Sequence, residues 1–499
     1  MADVDEKAVA SHTDAQRQKV QFEHDELYQA YAAKSEEWHR NMTKKLLRKV
    51  DLHLLPLLVL MYLLNFLDRN NLSQARLGTL EQDLGMKGTD FNLATSILFV
   101  GYLLMQLPSN LLLTRVRPSL FLGIAMGIWG VISACQAAAH SFAGLVVARF
   151  FLGFVEAPFF PGAVMLMYVC NHPLVSSWYT RQELSYRIAW FYAGSSLANA
   201  FGGLIGAGVL GNLHMSHGIS GWRWLFIIEG TITVALSMLV PFLLPNYPAT
   251  TNWLEDEEKA YAQWRLMNDA GEADDTSASS IKEALYLVFT DKRIYLFILL
   301  QHLSLLSQTF QYFFPSIVST LEYNNIQTLL ITAPVWIATF LVSLVVTWTS
   351  GKTNDRSIHI MCLMSVSIVG CIICTASTNI GARFLGMMPM GAVSAYQIII
   401  AWVANSFPRP LVKRSAAIAT ANMIGNTASI YGSYMWPSSS GPRYIPGGSA
   451  TAAVALGVAA MAFVIRTVHV RKNRSLVERE GTVEREEDLA APRGFRYIL

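Results

Sequence analysis

Between residues 50 and 470 the chain alternates long apolar runs with short polar joints. Twelve of the runs approach the roughly 20 residues that a helix needs to cross about 30 Å of hydrocarbon. In the first half they lie near 50–72, 92–113, 118–138, 142–166, 184–210 and 223–244, and in the second near 293–318, 327–350, 358–377, 381–405, 414–436 and 449–470. Between the sixth and seventh runs the pattern gives way to "NWLEDEEKAYAQWRLMNDAGEADDTSASSIKEAL", too polar to enter lipid. The pattern predicts an all-α membrane protein with twelve transmembrane helices in two bundles of six. Its parts are an N-terminal tail 1–48, a first bundle 49–245, a linker 246–291, a second bundle 292–470 and a C-terminal tail 471–499.

Composition agrees with that class: 53% of the 499 residues are hydrophobic and 15% charged, against about 25% charged in soluble domains. The net charge of +3 is too small to suggest a nucleic-acid partner. The placement of the basic residues is more informative. Lys44, Lys45, Arg48 and Lys49 precede the first run, Arg115 and Arg117 join the second to the third, and Arg181 and Arg187 follow the fourth. Lys352 and Arg356, then Arg409, Lys413 and Arg414, then Arg471, Lys472 and Arg474 fall on the same side. Basic residues near helix ends are held in the cytosol, so both termini are expected there, most simply at the plasma membrane. The first 48 residues hold no short apolar region followed by a cleavage site, and the first long helix is expected to direct insertion. The five cysteines are dispersed, and the Cys371 and Cys374 pair lies inside an apolar run, where small packing residues are the simpler reading.

The two halves look like parallel copies. "ARF" occurs at 148–150 in the fourth run and at 382–384 in the tenth, and an asparagine follows twelve residues after Arg187 and after Arg414, at Asn199 and Asn426. Two six-helix repeats with sites near the midplane describe a secondary transporter of the major facilitator type. The loop "GKTNDR", 351–356, carries the G-x-x-x-D-R pattern of that superfamily's cytoplasmic loop through Gly351, Asp355 and Arg356. In the matching loop "NLLLTR", 110–115, only Arg115 is kept. In the superfamily this motif pins the closed cytoplasmic face, so the first-half latch is degraded.

Charged residues inside apolar runs are the candidate chemistry, because an ionised group in hydrocarbon costs a few kcal/mol on insertion scales unless it has a partner or a task. Asp68 and Arg69 lie in the outer half of the first run, and Arg149 and Glu156 in the fourth. The last two are seven residues apart, on one helix face about 10 Å from each other, which makes Arg149 the expected counter-charge of Glu156. Pro158 and Pro161 leave the carbonyls of Phe154 and Ala157 without their helical donors. In the second half, seven residues beyond Arg383 stands Met390, so that repeat has no acid there. Bland readings stay open: Asp68 and Arg69 as an interfacial helix end, Arg149 as a packing counter-ion, Glu156 as a structural ion pair. The amides Asn199, Gln308, Gln311, Gln397, Asn422 and Asn426 fall near mid-membrane, as cavity lining or as interhelical glue. "AGSSLANAFGGLIGAG" and "ATAAVALGVAAMA" read as close-packing helix surfaces.

Four segments, "YLLNFLDRNNLSQARLGTLEQDLGM", "RFFLGFVEAPFFPG", "SSWYTRQELSYRIAWFYAGSSLANAFGGLI" and "GWRWLFIIEG", resemble the fungal allantoate, nicotinate and pantothenate permeases of the anion:cation symporter family. The likeness runs from Leu46 to Arg471, and the stretch 88–119 with the "GFRYIL" ending most resembles the nicotinate-transporter-like members. One departure is "YVCNHPLV", 168–175, which intervenes between the fourth run and "SSWYTR". The resemblance implies that Asp68 and Glu156 carry protons, that Arg69 meets a substrate carboxylate and that Arg149 couples the two acids. It implies proton-coupled uptake of a small organic anion, a monocarboxylate such as nicotinate, by a monomer without metal or cofactor. The alternatives are movement of a carboxylated secondary metabolite, including outward, and a non-transporting nutrient sensor. No nucleophile, metal cluster or phosphate loop supports an enzyme, and the sequon Asn71-Leu72-Ser73 lies too near the bilayer to be used.

Overall fold

The computed structural model describes residues 29–113, 116–167, 178–271, 281–392, 395–407, 411–480 and 496–499. Arg115 and the 168–175 segment lie outside the described residues.

In the first half the helices, apart from the single turn Leu80–Asp83, are α1 (Glu36–Ala75), α2 (Asp90–Leu113), α3 (Pro118–Cys135), α4 (Phe142–Glu156), α5 (Phe159–Met167), α6 (Arg181–Asn212) and α7 (Gly221–Leu243). Two helices, α8 (Asp256–Gly271) and α9 (Ile281–Thr290), follow in the polar connection. The second half has α10 (Arg293–Gln308), α11 (Phe314–Val318), α12 (Asn325–Thr353), α13 (Ser357–Ala376), α14 (Ile380–Ala392), α15 (Tyr396–Ser406), α16 (Leu411–Asn426), α17 (Ala428–Gly432) and α18 (Ile445–Glu480).

Eight helices among the described residues are long and apolar enough to cross a membrane: α1, α3, α4 with the start of α5, α6, α7, α12, α13 and α18. The second run falls on α2, the seventh and eleventh are each built from two pieces, α10 with α11 and α16 with α17, and the tenth covers α14 and α15, between which 393–394 lie outside the described residues. The fourth is interrupted as well, at Ala157 and Pro158 between α4 and α5, where proline supplies no amide proton to the turn before it.

Capping fixes several ends. Ser35 accepts a hydrogen bond from the Trp38 amide at the start of α1, and Asn324 with Gln327 forms a reciprocal capping box on α12. Glycine sets how closely α4 approaches α2: a Cβ on Gly153 would overlap the Leu98 carbonyl, and one on Gly101 the Phe150 carbonyl. The backbones meet directly at these points.

The core shows how the bundles meet. On the face remote from the chain ends, called distal here, the apolar core of the first bundle is continuous with Phe310, Phe313, Phe314, Trp336 and Trp436 of the second. Near the face that carries the chain ends, Phe297, Ile360, Trp402, Phe407 and Ile465 form a separate cluster. Polar contacts follow the same division. Asn92 Nδ2 donates to the Ser433 carbonyl at 2.6 Å, Arg76 Nη2 to Ser438 Oγ at 2.7 Å and Asn325 Nδ2 to the Leu77 carbonyl at 2.5 Å, all at the distal face. The glycine-rich face of α6 packs there on α12: a Cβ on Gly203 would stand 2.7 Å from Thr332 Oγ1, and one on Gly211 would stand 2.9 Å from Ile326 Cδ1.

The polar connection divides between the bundles. Helix α8 is fastened to the first by Lys49 to Glu258 at 2.7 Å, Arg265 to Glu183 at 2.7 Å and Thr43 to Tyr261 at 2.9 Å. Helix α9 places Val288 in the second bundle's core, and Asp291 beyond it accepts from Arg293 at 2.7 Å and Lys413 at 3.0 Å. The segment 496–499 returns to this face, where the Ile498 carbonyl accepts from Trp402 Nε1 and His469 Nδ1, both at 2.9 Å.

Candidate functional site

Asp68 and Arg69 are neighbours on α1, and a helix turns by about 100° per residue, so they point apart. Asp68 faces inward into its own bundle and is fully buried; Ser133 Oγ of α3 donates to its Oδ1 at 2.6 Å, and Thr233 Oγ1 of α7 to its Oδ2 at 2.7 Å. Arg69 faces the space between the bundles. Its Nε and Nη2 both donate to Oε2 of Glu156, at 3.0 and 2.8 Å, and its guanidinium lies 5.1, 5.9 and 5.2 Å from the rings of Phe66, Phe99 and Tyr102.

The partner of Glu156 is therefore Arg69 and not the expected Arg149. Arg149, 1% exposed, donates through Nη1 to the Arg69 carbonyl at 3.0 Å and through Nη2 to Asn71 Oδ1 at 3.3 Å. The seven-residue spacing on α4 keeps Arg149 and Glu156 on one face, two turns apart, and hydrogen bonds to Arg69 and Asn71 of α1 meet that face at the two levels. Glu156 ends α4 at the proline break, and its Oε1 has no hydrogen-bond partner among the described residues.

Two cavities meet at Arg69. One, of about 360 Å³, is lined by Tyr62, Asn65, Phe66, Arg69, Tyr102, Glu156, Phe160, Tyr192, Tyr396, Asn422 and Asn426. The other, of about 740 Å³, shares Phe66, Arg69, Tyr192 and Asn426 and adds Phe99, Ser195, Asn199, Gln308, Gln311, Tyr312, Trp336 and Met390 among others. Together they form one hollow between the bundles. Its polar side chains sit beside the helix interruptions: Gln308 ends α10, Gln311 lies in the following 3-10 turn, and Asn426 ends α16. Interrupted helices expose backbone polar groups only where they line a cavity.

Residues 58–433 match the family model of the Major Facilitator Superfamily. The chain belongs to that superfamily.

Its relatives include the MFS-type transporter cnsO of Penicillium expansum, 33% identical over 457 residues that cover 88% of this chain and 85% of that one. The major facilitator-type transporter hxnP of Emericella nidulans is 30% identical over 423 residues, covering 81% of each. Solved structures with the same fold include a bacterial homologue of the human lysosomal transporter Spinster in an inward-facing conformation, with a TM-score of 0.63 at 14% identity, covering 86% of this chain and 97% of that one. A D-xylose-proton symporter superposes with a TM-score of 0.58 at 15% identity, covering 82% and 97%. The protein is thus a multi-pass membrane transporter and not an enzyme.

Within this major facilitator fold, Asn199 accepts from Asn70 Nδ2 at 2.7 Å, and Asn422 Oδ1 accepts from Tyr396 Oη at 2.6 Å and from Asn426 Nδ2 at 3.3 Å. Gln308 reaches Ser304 Oγ at 3.5 Å. Gln397 is buried outside the lining of both cavities. The G-x-x-x-D-R loop makes its side-chain contacts inside the second bundle, and the Arg356 and Ser357 amides donate to the Leu499 carbonyl. Asp355 pairs with Arg466 and caps α13 through Ser357 Oγ and the Ile358 amide, both at 3.0 Å, while Arg356 Nη1 donates to Ser350 Oγ at 2.9 Å. Burial alone would raise the Asp355 carboxyl, but the Ile358 amide and Arg466 hold it below the usual carboxylate range. Gly351 is exposed with nothing near its missing Cβ.

Sequence reasoning did not select the tyrosines 62, 102, 192 and 396, which supply much of the wall, because an aromatic in an apolar run gives no signal of its own. It also passed over Glu229 on α7, which is 2% exposed. The signal there was the one that found Glu156, an acid within an apolar run.

Proposed function

We propose that this transporter is a proton-coupled symporter for a small organic anion, a monocarboxylate of the kind carried by allantoate, nicotinate and pantothenate permeases. The observation that carries the reading is the Arg69 to Glu156 pair: one guanidinium, open to both lobes of the hollow and ringed by aromatic faces, already holding a carboxylate. A substrate carboxylate needs the same planar contact. Glu156 and substrate therefore compete for Arg69, and a proton on Glu156 removes one competitor. Proton and anion then bind together, which is symport.

Around that centre, Phe66, Phe99 and Tyr102 suit a flat organic body, and Asn199, Gln308, Gln311, Asn422 and Asn426 offer donors and acceptors without a second charge. Asp68 and Arg149 form the second proton station behind Arg69, and Gln397 tunes the wall from outside it. With both termini in the cytosol, the described arrangement is closed on the outer side, and the loop of Gly351, Asp355, Arg356 and Arg115 acts at the cytosolic face as the gate. The reading places a monomer at the plasma membrane, working without metal or cofactor.

The second lobe, which extends the hollow from Arg69 to Gln311, Trp336 and Met390, favours a second reading in the same site, a bulkier carboxylated metabolite. Proteoliposomes decide both. Inward acid-driven accumulation of a radiolabelled carboxylate, collapsed by a protonophore and weakened by Arg69→Lys, is the expected result. Uptake indifferent to the pH gradient refutes the coupling, and unchanged half-saturation in folded Arg69→Lys removes the arginine from the site. A chain that binds carboxylates but moves none is a sensor.

A further inference from the structure

Glu229 lies in the middle of the first bundle, 2% exposed, and neither of its carboxylate oxygens has a hydrogen-bond partner among the described residues. Its surroundings are built for charge. Thr233, one turn further along the same face of α7, donates to Asp68; Asp68 and Asn71 of α1 and Arg149 of α4 stand within electrostatic reach of Glu229. Of these, Asp68 and Arg149 are the groups that face it with charge. The only titratable group of α3, Cys135, is exposed at that helix's end, and the adjoining half of α6, 194–212, has none.

The charges in the centre of this bundle are unequal in number. The buried centre of this bundle holds three carboxyl groups, Asp68, Glu156 and Glu229, and two guanidinium groups, Arg69 and Arg149. Arg69 is matched by Glu156. Arg149 is left to two acids, and these differ in how they are served. Each oxygen of Asp68 accepts from a hydroxyl, the arrangement an ionised carboxylate requires. Glu229 accepts no hydrogen bond among the described residues, the Asn71 side chain being the group nearest to donating one, and an ionised carboxylate buried in that state is costly. The neutral form of the acid avoids that cost.

We propose that Glu229 is a proton-binding site: it holds a proton while Asp68 is ionised, and the two carboxyls share one proton under the charge of Arg149. When Asp68 takes a proton, Glu229 gives one up and becomes the counter-charge of Arg149, so the bundle's net charge is unchanged. What the proton is used for rests on the symport reading above; that Glu229 holds one does not.

Infrared spectroscopy of the full chain in proteoliposomes tests this, through the carbonyl stretch of protonated carboxyl groups and its shift in D₂O. At neutral pH the wild type should show such a band, Glu229→Gln should lose it, and Glu156→Gln should keep it. In Asp68→Asn the band should weaken, because Arg149 is then free to hold Glu229 ionised. A full band in Glu229→Gln overturns the assignment, and a full band in Asp68→Asn overturns the sharing. Should Glu229→Gln fail to fold, Glu229→Met serves instead: an apolar side chain of similar length replaces a neutral acid with little loss, and a band retained there is equally fatal. The band reads the proton whether or not transport is coupled, so uptake indifferent to pH sinks the symport reading and leaves this one standing.

Discussion

Glu156→Gln separates the competition model from a structural ion pair. In the wild type both nitrogens of Arg69 rest on one oxygen of Glu156, at 3.0 and 2.8 Å. A glutamine oxygen can take the same place, so the hydrogen bonds persist while the charge is lost. Arg69 donates as a cation in both proteins; what the variant loses is the attraction between opposite charges, about 1 kcal/mol net once desolvation is set against it. That attraction is what an incoming carboxylate no longer has to overcome. The variant should bind anion roughly fivefold to tenfold more tightly at mildly alkaline pH, and its affinity should lose most of its pH dependence. Empty, it should melt earlier than the wild type, because Arg69 has lost its counter-charge; with ligand the two melting temperatures should converge. Calorimetric titration and ligand-dependent melting measure the binding side. Counterflow should persist while pH-driven accumulation fails, both read in vesicles holding equal amounts of folded protein. Normal acid-driven accumulation, or anion affinity unchanged from wild type at alkaline pH, would refute the reasoning.

Three further outcomes follow from the packing and the charges. Gly153→Ala forces α4 away from the Leu98 carbonyl of α2; it should cost about 1–3 kcal/mol and displace Glu156, so that melting temperature and anion affinity fall together, and a variant with wild-type values of both refutes the close approach. Gly203→Leu cannot fit against Thr332 and Leu329, so it should hold the distal face open, seen as raised thiol labelling of a cysteine at Ile326; unchanged labelling speaks against α6 and α12 as the closing surface. Burial by itself would raise Asp291, yet Arg293 and Lys413 hold its carboxyl well below the usual range, so its contribution is present above the unfolded pKa of about 3.9 and fades as pH falls towards the folded value. Asp291→Asn should accordingly lose about 2 kcal/mol at neutral pH, with the melting curves drawing together below about pH 4; a gap independent of pH would mean that the charge is not responsible.

Much of the fold was legible because lipid leaves few choices. Backbone groups in hydrocarbon must be satisfied within the segment, so each apolar run had to be a helix, and the family match over 58–433 agrees with the architecture read from those runs. The break after Glu156 was legible too, since it follows from the covalent structure of Pro158. The two divided helices seen in the second half were harder. Only α11 announces itself, through Pro315 at its start, while the interruption at Asn426 has no local cause as strong.

The amino-acid sequence by itself determined that helices form, where they cross, and that Asp68, Arg69, Arg149 and Glu156 carry charge into the membrane. It determined these through properties of short segments: hydropathy, proline, and the cost of a charge in hydrocarbon. Which charge meets which was decided by tertiary structure alone. Spacing along α4 favoured Arg149 for Glu156, yet Arg69, 87 residues away in the chain, takes that place because the fold brings its side chain from α1 to the end of α4. Neighbours on α1 are likewise sent apart, Asp68 into its bundle and Arg69 into the hollow. An ion pair depends on distances of a few ångströms between helices, and those are set by contacts such as Gly153 on Leu98 that no local pattern encodes.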